Sequence, residues 1–144
     1  MTYFKKVEFK AAILNTARYH VGDGTQLGIG CLGVNGMKVL MHFDLHFFYP
    51  FAETHKVDCI LSELETGRFY SFIGDAESFS DIPHENLTVF CKEYKEINIK
   101  ALEIDVARSI IETIQDEDLY SLHETGERSL MRRYRKEQLF PSLD

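Results

Sequence analysis

The sequence predicts an α+β fold: an antiparallel β-sheet of about four to six strands, built on two hairpins and packed against C-terminal helices. Three observations carry that prediction. Val39, Met41, Phe43, Leu45 and Phe47 recur at every second residue, so 37–49 reads as one long strand. The dipeptides Asn35-Gly36 and Thr66-Gly67 sit between apolar runs, where they mark hairpin turns. Apolar residues recur at helical intervals in the last third, at Leu102, Val106, Ile110 and Ile114. With 144 residues, the chain is expected to form a single α+β domain over 1–144.

Taken in order, residues 5–14 alternate Lys5, Val7, Phe9, Ala11 and Ile13 against Lys6, Glu8 and Lys10, as a half-buried strand does. Asn15 to Thr25 contains Gly22-Asp23-Gly24 and reads as a loop. Leu27 to Val34 is the next strand. A two-residue Asn35-Gly36 turn would pair Val34 with Met37, and hence Ile29 with His42 and Cys31 with Leu40. Pro50 ends the long strand, because proline cannot donate to the ladder. Val57–Glu65 and Arg68–Ile73 form the second predicted hairpin around Thr66-Gly67. Gly74 to Pro83 reads as a loop. From His84 the pattern fits both a helix (Leu87, Phe90, Cys91, Tyr94) and a strand (Leu87, Val89, Cys91), and the helix is favoured because Pro83 suits a helix start. A short strand at 97–101 then passes into a helix over about 105–115 with Asp105 as N-cap. Acidic Asp116-Glu117-Asp118 opens a further short helix with Leu119 and Leu122 as its apolar face, and a last helix runs from Glu127 to Leu139 with Leu130, Met131, Tyr134 and Gln138 in one stripe.

Composition narrows the function classes. Eleven Phe and seven Tyr with no Trp point to an aromatic core or a subunit interface. Cys31, Cys59 and Cys91 are widely spaced and odd in number, which argues against a disulfide framework and for a reducing, cytoplasmic setting. No run reaches the ~18 apolar residues of a membrane span, and the opening residues lack the apolar core of a signal peptide. The net charge of −7 is uneven: residues 1–125 carry −9 and residues 126–144 carry +2. That acidic body disfavours nucleic acid and suits basic protein surfaces, while the basic last segment is expected to dock on the acidic body of a twin in a homodimer.

The chemically pointed feature lies opposite the apolar row of the long strand. There Leu40, His42, Asp44, His46 and Phe48 share a face. His42, Asp44 and His46 are ligand types for a divalent metal such as zinc, iron or nickel. Along a strand rising ~3.3 Å per residue, however, His42 and His46 stand about 13 Å apart, so an adjacent pair would need help from another strand. Glu63, Glu65, His55 and Asp58 are the conceivable donors. The competing reading is structural, with Asp44 holding a neighbouring histidine in a partly buried polar cluster. The two-residue turn would also put Cys31 on the face of His42, adding a thiol to the ligand-binding set of His42, Asp44, His46 and Cys31. A buried structural role is the ordinary fate of such a cysteine. The glycines at 22, 24, 28, 30 and 33 match neither a dinucleotide nor a P-loop fingerprint.

With no complete catalytic constellation, the reading leans away from an enzyme. The expected function is that of a small acidic cytoplasmic binding or accessory protein acting through a protein or small-molecule surface, of the immunity or inhibitor kind. The alternative is a small metal-dependent or histidine-dependent enzyme or ligand-binding domain centred on His42, Asp44 and His46.

Overall fold

The computed structural model describes residues 2–34, 40–78, 87–98, 102–125 and 128–140. Seven strands form one sheet: β1 (Thr2–Val21), β2 (Gly24–Val34), β3 (Leu40–Pro50), β4 (Phe69–Ser78), β5 (Leu87–Glu96), β6 (Tyr120–Thr125) and β7 (Arg128–Arg133). Among the described residues three α-helices accompany them: α1 (Thr54–Glu63), α2 (Ile104–Thr113) and the one-turn α3 (Lys136–Leu139). The α+β class therefore stands, with the antiparallel sheet and its hairpins at the centre. Among the described residues no helix is long and apolar enough to cross a membrane.

The sheet order β2-β3-β5-β4-β1-β6-β7 carries an additional β1–β2 pairing, so the first five strands close on themselves. Closure depends on the length of β1. Its first half pairs with β4 from Thr2–Ser78 to Ala12–Phe69, and its second half pairs with β2 from Lys10–Val34 to Val21–Gly24. A register shift between Ile13 and Asn15 bends β1 from one partner to the other, as bulges do at barrel corners. A parallel β3–β5 contact over Phe43–His46 completes the ring. This strand order, with a helix inserted between β3 and β4, is the topology of the OB-type Greek-key barrel. Inside it Phe9, Ala11, Ile13, Leu27, Ile29, Cys31, Phe43, Leu45 and Phe72 are buried, and Val57 of α1 closes one end.

A second core lies outside the barrel. Ala12, Leu14 and Leu32 point away from the ring and are covered by Ala107, Ile110 and Ile114, with Leu119 and Phe140. Lys136 Nζ donates to the carbonyls of Glu112 and Ile114, satisfying the end of α2 with a cation where its dipole is negative.

Several elements differ from the sequence expectation, each for a physical reason. The 15–25 loop is strand as far as Val21, and only Gly22 and Asp23 turn, with Gly22 at φ +58°. Residues 57–65 are not a strand of a second hairpin: Val57, Ile60, Leu61 and Leu64 lie at helical spacing, and α1 uses that stripe to cap the barrel. The stretch from Leu87 is strand β5, not helix, because it supplies the hydrogen-bonding partner that both β3 and β4 need for closure. Residues 97–98 lie outside any strand, and 99–101 fall outside the described residues. The helix near 105 is present as α2, although it starts at Ile104 with Glu103 as N-cap and Asp105 in its first turn. Beyond it, the two predicted helices survive only as a 3₁₀ turn at Asp116–Asp118 and as α3 at Lys136–Leu139, and the β6–β7 hairpin takes the place of the rest. β4 leaves β1 at Ala12, so the following edge of β1 would stand unpaired; β6 fills it in parallel at Asn15–Tyr120, Thr16–Ser121 and Ala17–Leu122.

Candidate functional site

Period-two geometry places the titratable row of β3 as expected: Met41, Phe43, Leu45 and Phe47 are buried, whereas His42 and Asp44 are exposed and His46 is half-buried. What surrounds that row depends on register. β2 and β3 pair with Val34 opposite Leu40, three residues further along than a two-residue turn would allow; residues 35–39, with the Asn35-Gly36 turn, lie outside the described residues. Parity explains the choice. The tight turn would set Leu27, Ile29 and Cys31 against the polar row, whereas the observed register sets them against Phe47, Leu45 and Phe43.

The consequence for the predicted site is direct. Cys31 is 1 % exposed inside the barrel, opposite Phe43, and does not share a face with His42. It is a core side chain and leaves the ligand-binding set. The residues that do neighbour the row are Leu32 beside His42, Gly30 beside Asp44, Gly28 beside His46 and Gln26 beside Phe48. Continuing across β1, Asn15 lies beside Gly30, Ala17 beside Gly28 and Tyr19 beside Gln26.

Three of these side chains are tied together across three strands. Gln26 Nε2 donates to Tyr19 Oη at 3.0 Å and lies 2.8 Å from His46 Nδ1. An amide nitrogen can only donate, so Nδ1 accepts and the neutral imidazole carries its proton on Nε2. His46 is therefore held in one tautomer by β2, and Nε2 is the nitrogen left to meet a ligand. The hydrogen bond that positions it comes from Gln26, not from Asp44 of its own strand. His42 and Asp44 remain surface groups at either side of the Leu32–Gly30 stretch. The glycines let β1 lie flat on this face: a Cβ on Gly30 would come within 2.5 Å of Asn15 Oδ1, and one on Gly28 would touch the Tyr19 ring at 3.6–3.7 Å. Asn15 is itself anchored by Nδ2 donating to the Asp118 carbonyl.

At the turn end, apolar side chains stay in water. Val21, Phe48 and Phe51 are 41 %, 50 % and 50 % exposed. All three gather around the Gly22-Asp23 turn. Val21 pairs with Gly24, the Phe48 ring lies over Gly24, and the Phe51 amide donates to the Asp23 carbonyl. His20 meets the Phe51 ring edge-on at 5.4 Å. Beneath, Arg18 and Asp58 form an ion pair at 2.9 Å and Thr25 bonds Thr54 at 2.9 Å, fastening α1 to the same end of the barrel.

As a metal centre the row is incomplete: among the described residues no three His, Cys, Asp or Glu side chains gather to hold an ion. Glu63, His55 and Asp58 belong to α1 and Glu65 follows it, whereas His42 and Asp44 stand on the barrel's outer wall. Tyr19, Gln26 and Phe51 were not singled out by the sequence. Tyr19 lay in the stretch read as loop, and its link to Gln26 and His46 exists only once three strands are in register. No protein-family model, curated protein or solved structure matches the chain.

Proposed function

We propose that this chain is a small binding or accessory protein, of the immunity or inhibitor kind, that recognises another protein or a small molecule through the outer face of β1–β3 and performs no chemistry there. The observation that carries the reading is the immobilised Tyr19–Gln26–His46 chain beside the exposed Phe48 and Phe51. Clustered exposed aromatics rimmed by polar groups are the usual composition of an interface centre. A ring whose tautomer is already set loses little freedom on binding, which favours recognition. OB-type barrels commonly use the β2–β3 face for ligands, a likeness of topology alone. The net charge of −7 disfavours long-range attraction of phosphate backbones to the chain as a whole. A second copy is among the proposed partners, held through the same aromatic patch in a cytoplasmic homodimer.

The test is site-specific photocrosslinking with benzoylphenylalanine in place of Phe48, against a control at exposed Arg108 on α2. A discrete adduct from position 48 alone supports the reading, and its mass tells a second copy from another protein. Equal labelling at both positions, or none at 48 together with no saturable small-molecule binding, removes it.

A further inference from the structure

The strongest unexplained feature lies away from that face, on β7. In the sheet order β7 is terminal, paired with β6 on one side and with no strand beyond it among the described residues. The Tyr134 amide bonds the Leu119 carbonyl, so by antiparallel alternation Arg132 and Leu130 direct their main-chain groups to β6, while Arg133 and Met131 direct theirs to the open edge. Soluble proteins keep such edges short, charged or covered, because an apolar edge recruits strands. Here Leu130 and Met131 are 57 % and 52 % exposed. As neighbours in a strand, they stand on opposite faces.

On each face of β7 an arginine stands next to the exposed apolar residue. Arg132 shares the face of Leu130 and lies over the Tyr134 ring, 5.4 Å from its centre; Arg133 shares the face of Met131 and lies over the Tyr120 ring at 5.3 Å. Arg133 further donates to the Glu117 carbonyl at 2.8 Å. These guanidinium groups are thus pre-positioned beside the edge, in the C-terminal segment 126–144 that carries +2.

We infer that the open edge of β7 accepts an extended acidic peptide of another protein as an added antiparallel strand. The recognition grammar follows from the pairing. Opposite Arg133 and Arg132 the partner places two acidic residues, and opposite Met131 and Leu130 two apolar ones, so that reading along the partner the order is acidic, acidic, apolar, apolar. Main-chain hydrogen bonds to Met131 and Arg133 supply affinity, and the charges supply direction and register. A second copy fits poorly: a twofold axis at Met131 would set Ser129 against Arg133 and Leu130 against Arg132, offering neither arginine an acidic partner.

The experiment uses the full chain and fluorescein-labelled Ser-Asp-Glu-Val-Val-Ser, with Ser-Lys-Lys-Val-Val-Ser as control, followed by anisotropy at low salt. The acidic peptide is expected to bind saturably and the lysine peptide about tenfold more weakly. The double charge reversal Arg132→Glu with Arg133→Glu should exchange that preference. Met131→Pro, which removes an amide facing the open edge, should abolish binding of both peptides while leaving the melting profile of the fold. Equal binding of the two peptides, an unchanged preference after charge reversal, or a dimer that Met131→Pro splits would each overturn the inference. None of these outcomes touches Phe48, so the proposed β1–β3 surface stands or falls separately.

Discussion

Replacing the glycines of β2 by alanine one at a time gives a graded test of the β1–β2 register. At Gly28 an added Cβ meets only the Tyr19 ring and a carbonyl at 3.6–3.9 Å, which is ordinary contact. The gain there comes from the unfolded chain, which loses freedom, so Gly28→Ala should stabilise by about 0.5 kcal/mol. At Gly30 the Cβ would stand 2.5 Å from Asn15 Oδ1, the far end of a movable side chain. Asn15 must swing away and release the Asp118 carbonyl, a loss of about 1 kcal/mol that roughly offsets the same entropic gain. Gly33 is different in kind. Its Cβ would fall 2.2 Å from the Lys10 carbonyl oxygen and 2.5 Å from Ala11 Cα, which are backbone atoms of the paired strand and cannot step aside. Gly33→Ala should cost about 3 kcal/mol, the upper range for overpacking, and lower the melting temperature by roughly 10 °C. Urea titration gives the three values, with unchanged slopes showing that the same surface unfolds. In an Asn15→Ala background Gly30→Ala should turn stabilising, as at Gly28. A Gly33→Ala variant as stable as the parent, or one less damaging than Gly28→Ala, would refute the close approach of β1 to β2 on which the barrel depends.

Other outcomes follow from the site and the core. Burial raises the pKa of the Tyr70 phenol, partly opposed by the Glu65 amide that bonds it. A phenol kept protonated in the folded state holds its stabilisation below the unfolded value near 10 and loses it as pH rises further, so melting temperature should fall above about pH 10. Tyr70→Phe should flatten that decline while losing about 1 kcal/mol at neutral pH with the Tyr70–Glu63 bond. Long-range proton–nitrogen NMR should find His46 protonated on Nε2, and Gln26→Ala should yield a mixture of tautomers; Nδ1 protonation in the parent would contradict the Gln26 geometry. Tag-free protein titrated with zinc should show no stoichiometric uptake and no shift in melting temperature. One equivalent bound and then lost in a His42→Ala/His46→Ala variant would restore the metal reading.

Much of β3 was legible in advance because facing is a local property. Successive side chains of a strand point to opposite sides whatever the strand pairs with, so Phe43 and Phe47 had to part from His42 and His46. α2 was legible for a similar reason, its isoleucines recurring at helical intervals. Register was harder. The Asn35-Gly36 signal invited a two-residue turn, yet parity between Leu27, Ile29, Cys31 and the β3 row already spoke against it, and a check of which faces would meet corrects the position of Cys31. α1 shows the limit of a short apolar run: Val57, Ile60, Leu61 and Leu64 carry helical spacing that Thr66-Gly67 overshadowed. The β6–β7 hairpin was illegible, because its stripe of Leu130, Met131 and Tyr134 suits a helix as well as a strand.

By itself, the order of residues determined an acidic α+β chain, the two faces of β3 and the outward aim of His42, Asp44 and His46, all of which rest on covalent geometry and nearest-neighbour spacing. Only the tertiary structure decided that the strands close into a barrel, that Gln26 and Tyr19 are the partners of His46, that Cys31 is core, and that the basic C-terminal segment is an edge strand. Those outcomes turn on backbone groups of distant segments finding one another: β1 loses β4 at Ala12 and takes β6 instead, and no local preference in residues 120–133 reports that vacancy.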